Sequence, residues 1–316
     1  MDDKSKVYGV DVSKVTLEIG RYEVEACKQI NNAPESIALW LASIPAGSMV
    51  AMEATGEYHR VLAHAAHAAG MVVIVLNPKV LKHYARAVGQ RGKTDRIDAR
   101  LVARYVVHEK QKLVAWQPPT PAVEALSRLL VRRQALVGAH QMLAQSLSGM
   151  PALKAQRQSL LASIKRMIGN LELLIAKELA CVPALARLHR RLMTMVGVGK
   201  VVAAQLVASL ARLEFRNARA FIAYTGLDPR PEDSGNKRGR RFLSKHGNAL
   251  LRCLLYNGAM AATRSKLFKP LYLQLRTRGL ASTEAIVIIA RKLARIAFAL
   301  YKSGQDFDPQ KHLKTT

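Results

Sequence analysis

Short apolar runs alternate with amphipathic stretches over roughly the first hundred residues of the chain. The segments KVYGVDVS, SMVAMEA and MVVIVLNP are apolar runs of strand length, and TLEIGRYEVEACKQI alternates as one or two further strands do. Between them, PESIALWLASI carries a proline near the start of a helical pattern, and residues 57–69 form a second helical stretch. This order predicts an α/β domain with a mixed sheet.

The middle of the chain has the periodicity of long helices. Apolar residues recur at three- and four-residue spacing over 126–137 and again over 160–175, which predicts two long helices packed as an antiparallel pair. The SGMP segment at 148–151 marks the break between them. Such a pair is typical of a spacer or dimerising coiled coil and also of an element that binds nucleic acid, and one pair can do both.

A second module begins at Ala184 and is interrupted by glycines, first in MVGVGKVVAAQL and again in YTGLDPRPEDSGNKRGRRFLSKHGN. It ends in helices from about 283 to 303. The patterns therefore predict three regions: an α/β domain at 1–110, a helical coiled-coil linker at 111–183, and a mainly α-helical C-terminal domain at 184–316.

The charge balance changes this picture most. The chain has 49 lysines and arginines against 22 aspartates and glutamates, a formal net charge of +27 and a pI near 10.5. An excess of this size favours a polyanionic partner, most commonly nucleic acid, over a surface charge that serves solubility alone. Three widely separated cysteines argue against a disulfide framework or zinc site, and neither a membrane-spanning run nor a signal peptide is evident, so we expect a cytoplasmic protein without a membrane partner.

Four acidic residues stand at the ends of predicted elements in the N-terminal domain. Asp11 ends the first strand, Glu53 ends a later strand, and Asp95 and Asp98 are three residues apart on a predicted helix. That spacing places both aspartates on one helix face, so a helix packed beside the strand ends would bring the four carboxylates together. Such a cluster implies a divalent cation, with Mg²⁺ expected and Mn²⁺ as an alternative, and is suited to two-metal phosphoryl transfer.

Basic side chains surround two of these acids in GQRGKTDRIDAR. We expect four of them to contact phosphates of a nucleic acid: Arg91, Lys93, Arg96 and Arg100. Each acid by itself has a plainer interpretation, since Asp95 or Asp98 alone could pair with Arg91 or Arg100 on a solvated helix. It is the set of four carboxylates that favours a metal-dependent catalytic site in this domain.

A second dense group of basic residues lies in SGNKRGRRFLSKHGN. Five of them are candidate phosphate contacts: Lys237, Arg238, Arg240, Arg241 and Lys245. The hydroxyl of Ser244, beside Lys245 and His246, is a candidate to attack phosphorus and form a covalent phosphoserine. From spacing alone, a cap for the helix that begins near Asn248 is the better explanation of this serine.

Several long segments occur in an order that is typical of one family of mobile-element proteins: YGVDVSK, AMEATGEY, LNPKVLKHYARAVGQRGKTDRIDARLVARY, VGVGKVVAAQLVASL, FRNARAFIAYTGLDPRPEDSG and RGRRFLSKHGNALLRCLL. They resemble the successive motifs of the DEDD-type insertion-sequence transposases of the IS110 family, over nearly the whole chain. The resemblance implies an RNase H-like N-terminal domain, similar to Holliday-junction resolvases, and a C-terminal transposase domain. It places the metal-binding carboxylates at Asp11, Glu53, Asp95 and Asp98 and the nucleophile at Ser244.

The resemblance also implies a set of partners. These are donor and target DNA, a structured noncoding guide RNA encoded by the element, and further copies of the chain, as a homodimer that assembles to a tetramer. Each active site would then combine carboxylates of one subunit with the serine of another, on DNA in the bacterial nucleoid. The RNA dependence follows from the resemblance alone, since composition indicates only a polyanion.

Three other functions fit part of the sequence. A hydrolytic nuclease or junction resolvase would use the four carboxylates without Ser244. An actin-like sugar kinase would use GVDVSK as a phosphate loop, but the chain has no recognisable adenosine loop and a charge of +27 does not suit that class. A non-enzymatic nucleic-acid packaging protein would explain the charge but not the four acids.

Overall fold

The protein divides into two compact units, Met1–Pro118 and Pro119–Thr316. The computed structural model describes residues 6–90, 94–230, 239 and 241–312. Within that described part, no helix is both long enough and apolar enough to cross a membrane.

The first unit is built on one five-stranded mixed sheet with strand order β3-β2-β1-β4-β5. Strands β1, β2 and β3 are antiparallel neighbours, whereas β1, β4 and β5 run parallel to one another. The predicted mixed sheet is therefore confirmed. The strands are β1 Val7–Val12, β2 Thr16–Arg21, β3 Lys28–Asn31, β4 Met49–Glu53 and β5 Val72–Leu76.

Helices cover both faces of this sheet. They are α1 Pro34–Ala42, α2 His59–Ala68, α3 Pro78–Ala87 and α4 Asp95–Glu109. Val10, Leu17 and Met52 pack on one face in a core that includes Trp40 of α1. On the other face Val7, Ala51 and Ile74 form a smaller core with Val102 and Val106 of α4. Because alternate residues of a strand point to opposite faces, Asp11 and Glu53 lie on the same face as Val7 and Ala51, the one that α4 covers.

Two glycines allow α4 to lie directly on the sheet. Gly9 and Gly20 are cross-strand partners in β1 and β2. A β-carbon on Gly9 would lie 2.2 Å from the Ala99 carbonyl oxygen and 2.4 Å from the Ala103 amide nitrogen, and one on Gly20 would lie 3.0 Å from the Arg100 amide nitrogen. The backbone of α4 therefore occupies the space that side chains would fill, which fixes where the helix begins relative to the strand ends.

The second unit begins with a helical hairpin, as predicted. Helices α5 Pro121–Ser146 and α6 Lys154–Cys181 are joined by a short connection and pack antiparallel. Arg133 donates to Glu172 at 2.8 Å across the pair, and nearer the turn the Arg157 guanidinium donates to the Ala144 carbonyl at 2.9 Å.

The remainder of the second unit is mainly helical and shares one core with the base of the hairpin. Leu126 of α5 and Leu179 of α6 belong to this core, together with Ile289 and Leu293 of α12. The predicted C-terminal helix is confirmed as α12. The elements are α7 Pro183–Met193, α8 Lys200–Leu210, α9 Ala218–Thr225, β6 Pro229–Arg230, β7 Phe242–Leu243, α10 Ala249–Ala262, α11 Lys269–Thr277, α12 Ser282–Ser303 and α13 Pro309–His312.

We expect Gly9→Ala to destabilise the first unit by about 3 kcal/mol, because the added methyl overlaps the α4 backbone, which cannot move without losing its core contacts. Gly138→Ala, in the middle of α5 with open space around it, is the matched control and should stabilise its helix by about 1 kcal/mol. Both tryptophans, Trp40 and Trp116, lie in the first unit, so denaturation followed by tryptophan fluorescence measures that unit. An unchanged fluorescence midpoint in Gly9→Ala would contradict the close packing of α4.

Candidate active site

Two carboxylates lie at the ends of neighbouring parallel strands. Val10 of β1 pairs with Met52 of β4, so the next residues along each strand, Asp11 and Glu53, lie side by side. Both are partly buried. The close packing of α4 on β1 then brings the first turn of that helix to the same end of the sheet.

The start of α4 supplies the other two carboxylates. Thr94 caps the helix, with its hydroxyl accepting a hydrogen bond from the Ile97 amide at 3.3 Å, and the first turn carries Asp95 and Asp98. An acid in this position is favoured by the helix dipole. One cleft of about 680 Å³ has among its lining residues Asp11, Glu53, Thr55, Lys82, Asp95 and Asp98. The structure thus brings the four predicted acids together around a single cleft.

The carboxylates that line the cleft repel one another. The pKa of Asp11 is raised from 3.8 to about 6, first by burial and then by repulsion from Asp95, Asp98 and Glu53. A cation in the cleft would relieve that repulsion. The donor set is entirely carboxylate oxygen, which is the ligand type of hard divalent ions such as Mg²⁺. Among the described residues, however, no group of three or more His, Cys, Asp or Glu side chains is gathered closely enough to hold a metal ion as it stands.

A fifth carboxylate, which the sequence interpretation missed, lies beside Asp11 in the sheet. Glu18 of β2 is the cross-strand partner of Asp11, and its side chain is only 5% exposed. Its Oε1 atom has no hydrogen-bond partner and lies 3.4 Å from Nε of Arg96. The alternation of TLEIGR places Glu18 on one sheet face, but only the β1–β2 register shows that this is the face of Asp11.

The predicted basic contacts near the cleft differ in their surroundings. Arg96 is largely exposed and pairs with Glu18. Arg100 lines a neighbouring cleft with Tyr22 and Arg104, and it does not line the cleft of the four acids. Arg91 and Lys93 lie outside the described residues.

The segment around Ser244 is a tight turn that main-chain hydrogen bonds join to residues 226–228 of the same unit. Amide-to-carbonyl bonds join Ser244 to Asp228 at 3.0 Å and Lys245 to Gly226 at 3.2 Å. A β-carbon on Gly247 would lie 2.0 Å from the Tyr224 carbonyl oxygen, so this glycine is required for the crossing. Lys245 itself adopts a left-handed conformation with φ +52°, which is uncommon for a residue with a side chain.

The Ser244 hydroxyl has a specific partner. Its Oγ donates a hydrogen bond to the Asp228 carboxylate, and it also accepts from the His246 amide at 3.4 Å. The cap of α10 is Asn248, whose side chain accepts from the Leu251 amide at 3.0 Å. The helix-cap explanation of Ser244 is therefore wrong, because α10 begins at Ala249 and is capped by Asn248. Asp228 was not singled out from the sequence, since nothing in its spacing connects it to Ser244.

Of the predicted basic residues around Ser244, Lys245 and Arg241 are exposed to solvent. Arg241 donates to the Gly239 carbonyl at 3.5 Å. Lys237, Arg238 and Arg240 lie outside the described residues. The candidate nucleophile belongs to the second unit, and the carboxylate cleft belongs to the first.

Comparison with known proteins gives consistent matches along the chain. Residues 9–155 match the DEDD transposase model of the IS110 group, and residues 189–273 match the model described as the transposase IS116/IS110/IS902 family. The pilin gene-inverting protein of Moraxella bovis is 28% identical over 98% of this chain and 99% of its own length. The transposase for insertion sequence element IS1111A of Coxiella burnetii is 26% identical over 93% of this chain and 89% of its own length.

These matches define the protein as an enzyme that acts on DNA, of the transposase and site-specific recombinase class. The chain belongs to the IS110/IS116 family of insertion-sequence transposases. The resemblance inferred from the sequence motifs is confirmed.

We expect Asp11→Asn to stabilise the first unit when divalent cations are removed with EDTA. A carboxyl group whose pKa is higher in the folded state than in the unfolded state opposes folding once it ionises, so the penalty is absent below about pH 4 and complete above about pH 6. After allowance for partial solvent exposure, the gain should be about 1 kcal/mol at pH 7.5 and should vanish near pH 4. Tryptophan-detected urea denaturation measures it, with Glu35→Gln on the exposed surface of α1 as the control for loss of one carboxylate. A destabilised Asp11→Asn at pH 7.5 would contradict the repulsion.

Proposed function

We propose that this enzyme exchanges DNA strands through a covalent phosphoserine at Ser244, with Mg²⁺ held by Asp11, Glu53, Asp95 and Asp98, under the guidance of an RNA from its own element. The observation that carries the proposal is the cleft in which the four carboxylates repel one another. Such an arrangement is unfavourable for folding and is explained by a cation that binds there.

The fold supports this assignment. We assign the first unit to the RNase H-like domains. The assignment is based on its sheet of order β3-β2-β1-β4-β5, in which β1 to β3 are antiparallel and β4 and β5 run parallel to β1. The acids lie at the carboxyl ends of β1 and β4 and at the start of α4, on one face of that sheet. Mg²⁺ bound there would supply charge neutralisation at the reacting phosphate and activation of an attacking oxygen.

The chain's own residues have distinct roles in this proposal. Asp11 and Glu53 come from rigid strands, and Asp95 and Asp98 come from a helix whose position is set by the glycine contact. Ser244 is presented from a turn that is fixed by main-chain hydrogen bonds, which suits a nucleophile that must meet phosphorus in one orientation. We assign the carboxylates and the serine of one active site to different subunits.

The helical hairpin supports binding of RNA and subunit assembly. Its exposed basic residues are Arg128, Arg132, Lys154, Lys165, Arg166 and Lys177. Its surface also carries exposed apolar side chains, among them Leu173 at 71% and Met142 at 63%. Basic and apolar side chains on one hairpin suit an element that contacts phosphates and also packs against another copy, as a dimer within a tetramer.

A hydrolytic nuclease or junction resolvase that uses the carboxylates alone is the second candidate. The Ser244 turn argues against this nuclease. Hydrolysis by water does not require a serine hydroxyl that is oriented by a hydrogen bond on a turn with a left-handed residue.

Ser244→Ala should abolish strand exchange and covalent attachment of DNA to the protein. The assay combines purified protein, Mg²⁺, the RNA encoded beside the gene and a supercoiled plasmid that carries the joined ends of the element, followed by denaturing protein gels. The wild type should give a DNA-shifted band that requires RNA and metal, and Ser146→Ala, an exposed helical serine, should behave as wild type. Free nicked DNA from both wild type and Ser244→Ala, without any shifted band, would establish the hydrolytic nuclease instead. A shifted band of equal yield without RNA would remove the guide from the proposal.

Mg²⁺ should stabilise the first unit of the wild type and should stabilise Asp98→Asn much less, because the variant loses one charged oxygen donor. A single site at ten times its Kd adds about 1.4 kcal/mol to the free energy of unfolding. The shift is measured by tryptophan-detected denaturation with and without Mg²⁺, with Glu35→Gln as the control, and Mn²⁺ should act similarly. Equal stabilisation of wild type and Asp98→Asn would place the ion elsewhere.

A further inference from the structure

The structure joins Ser244 to a carboxylate that no motif had connected with it. Asp228 precedes β6 and Ser244 follows β7, and the pairing of Pro229 with Leu243 makes these two residues the next pair along the ribbon. The main-chain carbonyl of Asp228 accepts from the Ser244 amide at 3.0 Å, and its side-chain Oδ1 accepts from the Ser244 hydroxyl. Both the backbone and the reactive oxygen of Ser244 are therefore set by this one residue.

We propose that Asp228 is the proton acceptor for Ser244, and that it activates the hydroxyl for attack on the DNA phosphate. This inference rests on the proposed role of Ser244 as nucleophile. It adds a second catalytic group in the C-terminal unit, so that Ser244 would depend on a group of its own unit as well as on the carboxylates of the N-terminal unit.

Cationic groups from several elements lie near the Ser244–Asp228 pair. Among the described residues, Lys245 and His246 follow Ser244 in the turn, Arg252 of α10 contacts the main chain of the turn, and Arg291 of α12 interacts electrostatically with Asp228. Arg252 is used structurally, since its guanidinium donates to the carbonyls of Thr225 and Gly247. Burial and repulsion from Arg295 lower the pKa of Arg291, and the negative charge of Asp228 opposes that shift. Asp228 thus interacts with the positive charge of Arg291 and accepts the hydrogen bond of the Ser244 hydroxyl.

The hydroxyl is also accessible for reaction. Ser244 and Asp228 are both only partly buried, and the turn already holds its shape through the Lys245–Gly226 bond and the close fit of Gly247. A side-chain hydrogen bond is therefore not needed to close this turn. With its proton directed toward Asp228 and one lone pair accepting from the His246 amide, Oγ keeps its second lone pair for a phosphorus atom.

The same carboxyl group of Asp228 can serve in DNA cleavage and in DNA joining. During cleavage the Ser244 Oγ forms a bond to phosphorus, and the bond from phosphorus to the departing sugar oxygen breaks. The serine proton passes to Asp228, and the departing oxygen takes a proton from water. During joining, a sugar hydroxyl attacks the phosphoserine and releases its proton to water, and Asp228 returns its proton to the departing Oγ. One carboxyl group thus acts as base and then as acid.

The test compares single-turnover rates of adduct formation by wild type, Asp228→Asn and Asp228→Glu across pH, in the complete reaction with RNA, Mg²⁺ and plasmid. Asparagine retains an oxygen that can accept the serine hydrogen bond but cannot take up the proton. We expect the rate to fall about 100-fold or more in Asp228→Asn, to rise with pH where the wild type has levelled off, and to recover partly in Asp228→Glu. Asp306→Asn, an exposed acid of the same unit, is the matched control.

Thermal unfolding and plasmid binding by Asp228→Asn show whether the turn and the complex survive the change. A folded, DNA-binding Asp228→Asn with the rate and pH profile of the wild type would overturn the inference and leave the serine mechanism standing. If Asp228→Asn is slow but has an unchanged pH profile, its role is positional and proton transfer is excluded. If the wild type itself forms no Ser244-dependent adduct, the proposed function fails and this inference fails with it.

Discussion

The direct backbone contact between α4 and the β1–β2 pair is the constraint on which the first unit depends. Because Gly9 and Gly20 are cross-strand partners without side chains, the helix lies against the sheet at main-chain distance. A helix held at ordinary side-chain distance would displace its first turn by several ångströms, and the carboxylates of that turn would not face those of the strand ends. The glycine pair therefore sets the geometry of the cleft although neither glycine lies in it.

The cleft shows how a site can oppose the stability of its own fold. Four carboxylates share a partly buried space, and their repulsion is expressed in the raised pKa of Asp11. Among the described basic residues near the cleft, Lys82 lines it, whereas Arg96 pairs with the buried Glu18 and Arg100 lines a neighbouring cleft. The favourable interactions that hold these acids in place come from the two apolar cores on the sheet faces and from the capped start of α4.

The second unit uses a different physical device for its candidate nucleophile. Ser244 lies on a turn whose main chain crosses another segment so closely that only glycine fits at position 247. The strain of the left-handed Lys245 is compensated by the main-chain hydrogen bonds around it. Orientation of a reactive oxygen by the backbone is more exact than orientation by a flexible side chain, and the hydrogen bond to Asp228 adds direction to the hydroxyl proton.

Much of the fold follows from local patterns. Periodicity predicted the strands of the sheet, the helical hairpin and its break, and the last long helix, because each of these elements buries one regular face. The order of motifs identified the family, and element ends identified the four acids of the cleft. These features are determined by residues that are close together in the sequence.

Only the tertiary structure decided which distant residues meet. Glu18 lies beside Asp11 because of the β1–β2 register, Arg100 lines a neighbouring cleft because of its position around α4, and Asp228 contacts Ser244 because two short strands pair across sixteen residues. No local periodicity encodes such pairings, since cross-strand register and helix docking arise from backbone contacts between segments that are far apart in the chain. The sequence therefore determined the elements and the family, whereas the neighbours of each reactive group were decided by packing.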